Sequence, residues 1–517
     1  MARVTDPVPP GGGRDVGWLV RRWADTAPDR PFLTWVPFEG GPAAWTRGEF
    51  ARDVASLVAA FRARGLRPGD SLAIVLPNHP DFLLAWTAAT TVGAVAVCLN
   101  PAGSVDELRY AGEHSGAVAA VVSADRADDV ATALPGLRFL AVSGAGGGGA
   151  DAVATLLAVE PDGVTGVLPV STPASVQYTS GTTARPKGVV WTQANCLWGG
   201  QVGAAHQGLG PSDVNLVHLP LFHTNALSYS FLSSLWSGGQ VVLMPKFSAS
   251  RFWDVSVRYG ATWTSVVSFC LRALADREVP SGHRYRGWGG SACLDPAPVT
   301  GGVPVIGWFG MTETVSHPVV GGLLHPDRAG SMGRPAPEYE VAVLDDDGRP
   351  VEPGADGTLR VRGRRGVSLF QEYLHDPEAT ARCFTSDGWF VTGDRVRLDV
   401  EGTLTFAERA KDVLKVGGEN IGAPEIERVL LGVAGVREAA VVGRPDRMLG
   451  EVPVAFVTAW PDAVLSPEQL TERCAALLAA FKRPREVRVV DELPRSTLDK
   501  VAKARLRALL AAESADD

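Results

Sequence analysis

Lysine is scarce in this 517-residue chain: seven residues, at 187, 246, 411, 415, 482, 500 and 503, against 42 arginines. A composition so biased replaces dispensable lysines by arginine, which enriches the survivors at positions that need a compact ammonium on a flexible stem. Cysteine is sparse too. The six (Cys98, Cys196, Cys270, Cys293, Cys383, Cys474) form no CxxC pair, which excludes a zinc knuckle or a disulfide framework and fits a reduced cytosol. There is no basic excess. With 49 basic against 57 acidic residues the net charge is −8, which excludes nucleic acid as the main partner. A long apolar run is also missing. Phe82 to Leu99 is interrupted by Thr87, Thr90, Thr91 and Gly93 and reads as a buried helix followed by a buried strand, not a membrane span. Residues 1–13 are rich in proline and glycine without an apolar signal core, so a cytoplasmic location is expected. At 45% hydrophobic and 21% charged residues, disorder as the main theme is excluded.

The length suggests about three domains or subdomains. The first 400 residues read as strand–helix units: strands at 71–77, 94–99, 117–122 and 139–142, helices at 81–92 and after Ser104, which opens a capping box with Glu107. Such alternation predicts parallel sheets covered on both faces. From Glu340 to Phe406 short alternating strands separated by Asp-Gly turns predict a small β subdomain. The last 105 residues predict an α+β unit with a helix from Ser466 to about Lys482, a strand at 486–490 and a final helix at 501–512. The expected fold is therefore α/β and α+β, with a large N-terminal domain over 1–408, a linker at 409–412 and a small C-terminal domain over 413–517.

The strongest chemical signal is Gln177-Tyr178-Thr179-Ser180-Gly181-Thr182-Thr183-Ala184-Arg185-Pro186-Lys187-Gly188-Val189. A strand runs into a loop of hydroxylated residues, glycine and one lysine, which together present N–H groups, hydroxyls and an ammonium to phosphate oxygens. Pro186 precedes the lysine, so the loop is not a Walker A motif. The string resembles the phosphate loop of the adenylate-forming superfamily of acyl-CoA synthetases, aryl-CoA ligases, adenylation domains and luciferases. Its other motifs follow in order: Pro220-Leu221-Phe222-His223, Gly289-Gly290-Ser291-Ala292, Phe309-Gly310-Met311-Thr312-Glu313, Gly388-Trp389-Phe390-Val391-Thr392-Gly393-Asp394, Glu408 to Asp412, Gly417-Gly418-Glu419, and Lys500 near the C-terminus. The phosphate loop and the Phe247–Phe252 segment are closest to the crotonobetaine/carnitine-CoA ligase-like subgroup.

The resemblance implies a site that uses ATP and Mg²⁺, with CoA as co-substrate. Glu313 is the implied Mg²⁺ ligand. Thr182, Thr183 and Lys187 are implied to hold the leaving pyrophosphate, Thr179, Ser180 and Gly181 to bind the nucleotide beside them, and Thr312 to touch phosphate. Phe309, with Gly310 and Met311, is implied to face the adenine, and Asp394 with Arg409 the ribose. Lys500 is implied to bridge the attacking oxygen and the α-phosphate, with Lys411 as the hinge of a mobile C-terminal domain. His223, Thr224, Asn225, Gly290 and Ser291 are implied to line the acid pocket. Trp263, Trp288 and Trp308 read as core, and Cys293 as a packing residue.

The chain departs from the pattern at Ala184, Gln193, Glu372-Tyr373 and Asp499, and in a short glycine- and proline-rich stretch between Ala292 and Val305. None of these removes a phosphate-handling group. The small hydroxylated residues Thr224, Asn225, Ser228 and Ser230 point to a pocket with some polarity. The implied activity is ATP-dependent activation of a small, aromatic or unsaturated, carboxylic acid, followed by thioester formation with CoA. The alternative is an adenylating enzyme with another acceptor: a carrier-protein thiol or an amine, in particular nitrite activation with diazotisation of an aromatic amine. The oligomeric state stays open between monomer and homodimer.

Overall fold

A computed structural model describes residues 14–144, 151–163, 166–179, 185–290, 297–323, 328, 330–345, 347–409, 413–461, 463–494 and 501–513, apart from the side chains of 297, 298, 408, 409 and 504. The chain divides into two compact units. One comprises Met1–Pro101, Ala111–Gln177 and Gly188–Glu408, and the other Ala102–Tyr110, Tyr178–Lys187 and Arg409–Asp517. The architecture is mixed α/β, with a large multi-sheet N-terminal part and a smaller C-terminal part.

In the first unit, short apolar runs become strands buried on both faces, as parallel sheets require. Ser71–Val75 (SLAIV) pairs in parallel with Val95–Cys98 and Ala117–Ser123. The helix between the first two runs from Pro80 to Val92. Proline stands in its first turn, the His79 side chain accepts from Asp81 N, and Gly93 closes it in the left-handed conformation. The apolar stretch after Phe82 is thus a buried helix and a buried strand, and no helix among the described residues is long and apolar enough to cross a membrane. The second large sheet carries the parallel strands Val305–Phe309, Gly287–Gly290, Trp263–Val266, Val214–Val217, Gln240–Leu243 and Pro31–Trp35 side by side. Their C-terminal ends are where open α/β sheets take ligands.

Two expectations change. The strands Glu340–Leu344, Asp356–Arg362, Phe390–Leu398 and Leu404–Arg409 do not close off a separate sheet. They continue the large one through Ser331–Pro335 and Val319–Val320 into Val305–Phe309. Asp356–Arg362 alternates buried and half-buried residues, so one face still packs on the core formed by Phe309, Val319, Leu359 and Val396. In the second unit the helix that opens at Ser466 stops at Leu477. Leu478 is extended, and a short 3₁₀ turn follows over Ala480–Lys482. The break has an electrostatic reason. Lys482 Nζ lies 2.5 Å from Glu107 Oε1 and 2.7 Å from Glu425 Oε1, and Ala479 N donates to Glu107 Oε2. A helix continued to Lys482 would forfeit this buried arrangement. Glu107 also completes the expected capping box with Ser104.

The sheet of the second unit alternates cleanly. Val441, Ala455 and Val457 face the core built with Ala423–Leu431 and Pro467–Leu477. Ala440, Val442, Val454 and Phe456 face Leu506 and Leu510 of the helix Lys503–Glu513.

In the first unit the fold buries two histidines in neutral form. Thr264 Oγ1 spends its proton on Leu216 O, so His218 Nε2–H donates to Thr264 and Nδ1 is left bare and without a partner. Burial pushes His218 down to about 3 and His317 well below its usual value. Between pH 6.5 and 3 the unfolded chain therefore binds a proton at residue 218 that the folded chain refuses, so stability falls as pH falls. For His218 the loss is about 1.4 kcal/mol per pH unit below 6.5 until its folded value is reached. Thermal midpoints at pH 7.0 and 5.0 should drop less in His218→Gln than in wild type. Equal drops would show that His218 takes up its proton in the folded state.

Candidate active site

Phe309 ends its parallel strand, and Gly310 and Met311 carry the chain out of the sheet into the single 3₁₀ turn Thr312–Thr314. Val315 follows with φ 62° and ψ −41°, a positive φ at a fully buried β-branched residue. Such a backbone costs on the order of 1–3 kcal/mol and persists only when its surroundings over-determine it. They do so one carbonyl at a time. Trp191 Nε1 donates to Thr312 O at 2.8 Å, and Phe370 N donates to Glu313 O at 2.8 Å. Tyr339 Oη donates to Thr314 O at 2.7 Å, and Ser228 Oγ to Val315 O at 2.8 Å. Four consecutive carbonyls are thus held by donors from four separate segments.

The side chains of the turn are held as well. Glu313 is 5% exposed, and Tyr373 Oη donates to its Oε1 at 2.7 Å. Burial, and then the Glu313 carboxylate itself, push the Tyr373 phenol up, so it remains a donor. Thr224 Oγ1 donates to Gln177 Oε1 at 2.7 Å and lies 3.0 Å from Thr312 Oγ1. The end of the strand Pro173–Thr179, the start of the helix after His223 and the 3₁₀ turn are therefore tied through three side chains.

That helix is unusual. Asn225–Leu232 is a π-helix, which is rare and concentrated at functional sites. Serines support its widened turns: Ser230 Oγ donates to Asn225 O, and Ser233 Oγ to Ser228 O. Half-buried His223 sits just before it with its ring 4.4 Å from that of Phe222, and its backbone N–H donates to Pro220 O. Asn225 Oδ1 and Gln177 Nε2 are buried without protein partners. One helical turn further, Tyr229 packs against Trp308 and His317, whose rings stack at 4.3 Å and 19°. Trp263, Trp288 and Trp308 are all core, as expected.

The structure thus brings Thr312, Glu313 and Thr224 together. Gly290 ends the strand Gly287–Gly290. Lys187 opens the strand Lys187–Thr192, and Thr179 ends Pro173–Thr179. Asp394 is 2% exposed on Phe390–Leu398, with its N–H donated to Thr392 Oγ1. Ser180, Gly181, Thr182, Thr183, Ser291, Cys293, Lys411 and Lys500 lie outside the described residues, as does the side chain of Arg409. The supporting roles of Trp191, Tyr339 and Tyr373 were not readable from sequence, because a single aromatic residue in a strand or turn looks like core. The spacing of Ser228, Ser230, Ser233 and Ser234 was a usable signal for an irregular helix.

The mixed α/β fold that carries this turn matches that of adenylate-forming enzymes. The AMP-binding enzyme family model matches residues 20–374, and that of the AMP-binding enzyme C-terminal domain matches 425–500. The chain belongs to the AMP-binding enzyme family and is an AMP-forming ligase. It is 34% identical to a sulfoacetate–CoA ligase of Cupriavidus necator over 93% of this chain and 94% of that protein. It is 31% identical to a crotonobetaine/carnitine–CoA ligase of Escherichia coli over 86% of this chain and 90% of that protein. Among solved structures it is similar to an o-succinylbenzoate CoA synthetase from Bacillus subtilis bound to a product analogue. That match has a TM-score of 0.84 and 28% identity and covers 96% of this chain and 99% of the other. It is also similar to an amide bond synthetase from Marinactinospora thermotolerans, with a TM-score of 0.82 and 26% identity over 95% and 99%.

Gly310 tests how tightly the turn is held. A Cβ built there collides with Tyr229 Oη and crowds Ser316 O. Gly310→Ala should lower kcat/KM for AMP formation at least tenfold. Tyr229→Phe in the same chain, which removes the colliding atom, should restore part of the loss. If the single variant stays within twofold of wild type, the turn has slack.

Proposed function

We propose that the protein joins a small carboxylic acid to AMP with release of pyrophosphate and then transfers the acyl group to CoA. The observation that carries this reading is the clamped turn that fixes Thr312 and Glu313. It stands in a chain whose full-length relatives are named CoA ligases. A carboxylate is protected from nucleophiles by its charge and resonance. Bonding one of its oxygens to the α-phosphorus of ATP, while pyrophosphate leaves, supplies a good leaving group. Catalysis of that exchange is mostly positioning and charge neutralisation.

In this reading Lys187 and the hydroxyls of Thr179, Ser180, Thr182 and Thr183 hold the departing phosphates. Phe309 packs on the base, Asp394 accepts from the ribose hydroxyls beside Arg409, and Lys500 neutralises the attacked phosphate. Glu313 fits a magnesium ligand: it is a buried carboxylate with a neutral partner on one oxygen, and magnesium takes one or two carboxylates beside phosphate oxygens. When bound, magnesium supplies neutralisation of phosphate charge. Lys411 is the hinge residue about which the C-terminal part turns between the two half-reactions.

The polarity beside the π-helix favours a small acid. Thr224 and Asn225, with Ser228 and Ser230 further along, are small and hydroxylated or amide-bearing, and His223 stands half-buried just before them. A long greasy tunnel does not suit residues of this kind. The relatives named above are CoA ligases and an amide bond synthetase, and they lend no support to nitrite activation or carrier-protein loading.

The test is mass spectrometry of ATP reactions with a panel of short polar, unsaturated and aromatic acids, each with and without CoA. One arm pairs nitrite with aminobenzoates. AMP with an acyl-CoA mass only when CoA is present is the expected result, and Lys500→Ala should cut adenylate formation at least a hundredfold. AMP formed with nitrite and an amine regardless of CoA would overturn the acceptor. Adenylation within threefold of wild type in Lys500→Ala would overturn the role of that lysine.

A further inference from the structure

Glu313 is gripped twice by one short segment. Phe370 N donates to its carbonyl, and Tyr373 Oη donates to its carboxylate three residues later. That segment is itself fixed. Gln371 N donates to Val190 O at 2.9 Å and Leu374 N to Gly188 O at 2.8 Å, on the strand that Lys187 opens. Tyr373 N donates to Thr380 Oγ1 at 2.9 Å, and the Tyr373 ring packs 4.8 Å from that of Phe370. The phenol therefore has little freedom: Tyr373 is 5% exposed, and its backbone and ring are both pinned.

The chemistry of the partner matters as much as its rigidity. A carboxylate taken out of water needs its oxygens satisfied. An arginine or lysine would satisfy them and also cancel the charge, so it would compete with a divalent cation for the same group. A neutral phenol satisfies one oxygen and leaves the full negative charge in place. Bonds of this kind, from an outer residue to a metal ligand, orient the ligand and alter metal affinity typically 10–100-fold.

We propose that Tyr373 is a positioning residue for the ligation reaction: its phenol ties up Oε1 of Glu313 and fixes the carboxylate plane, so that the divalent cation accompanying ATP is met by Oε2. The inference rests on the reading of Glu313 as the metal ligand. It also gives Tyr373 a task beyond closing the edge of a sheet.

The experiment is Mn²⁺ binding, followed by electron paramagnetic resonance, to the whole enzyme loaded with a non-hydrolysable ATP analogue. Wild type is compared with Tyr373→Phe, Glu313→Gln and the double variant. Tyr373→Phe keeps the ring and its packing on Phe370, and thermal midpoints report whether the fold holds. The expected result is about tenfold weaker Mn²⁺ binding in Tyr373→Phe. Affinity for the metal-free analogue should be unchanged, and the double variant should be no weaker than Glu313→Gln alone. Tyr373→Phe within twofold of wild type while Glu313→Gln is weakened would overturn the inference and leave Glu313 as the ligand. Losses that add in the double variant would also overturn it, because the phenol would then act through another group. If Glu313→Gln itself binds Mn²⁺ as wild type does, the metal reading of Glu313 fails, and the role of Tyr373 fails with it.

Discussion

Everything at the site depends on holding an unfavourable piece of backbone. Val315 is a buried valine at positive φ, and nothing local favours that conformation. The four carbonyls from Thr312 to Val315 accept from Trp191, Phe370, Tyr339 and Ser228, residues that come from four separate segments of the chain. The turn cannot form until the sheets that carry these donors are in place. Each bond nets only about 1 kcal/mol. Four of them together exceed the strain, whereas two would barely match it. The geometry of Glu313 is thus a tertiary property, bought by the assembled domain and not by the motif that spells it.

That dependence explains what the sequence revealed and what it hid. The elements with strong local signals were legible: the helix Pro80–Val92 with its proline start and glycine stop, the capping box at Ser104, and the apolar strands Ser71–Val75 and Ala117–Ser123. The supporting donors were not legible. Tyr373, Tyr339 and Trp191 have no pattern that separates a buried hydrogen-bond donor from a buried space-filler, and the difference appears only when an acceptor on a distant segment arrives. The continuation of the β strands after Glu340 into the large sheet was hidden for the same reason. Edge pairing leaves no mark on the strand's own alternation.

The scarcity of lysine acquires a structural meaning outside the motifs. Lys482 places its ammonium between Glu107 and Glu425, and Lys503 lies 2.7 Å from Glu427, all with largely buried side chains. A guanidinium is wider and planar and prefers a forked carboxylate partner. Between two carboxylates from different segments, a point charge on a thin stem fits where a fork does not. Burial raises the Glu425 carboxyl, and the ammonium opposes that shift without reversing it. Removing Lys482 would therefore leave two buried acids facing each other, which is the costly way to break such a cluster. The bend that ends the helix at Leu477 is a consequence of reaching this arrangement.

The π-helix after His223 shows the same economy applied to shape. A wide turn leaves carbonyls too far from the amides that an α-helix would offer them, and serine hydroxyls at 230, 233 and 234 reach back to occupy Asn225 O, Ser228 O and Ser230 O. Ser228 is turned the other way and holds Val315 O. The helix that opens beside His223, Thr224 and Asn225 is therefore in register with the turn that carries Glu313, and Tyr229 fills the gap against Gly310. A regular α-helix would rotate every residue after Asn225 and would separate Ser228 from Val315. The irregular winding is what lets one helix start beside His223 and clamp the turn that carries Glu313 a single turn later.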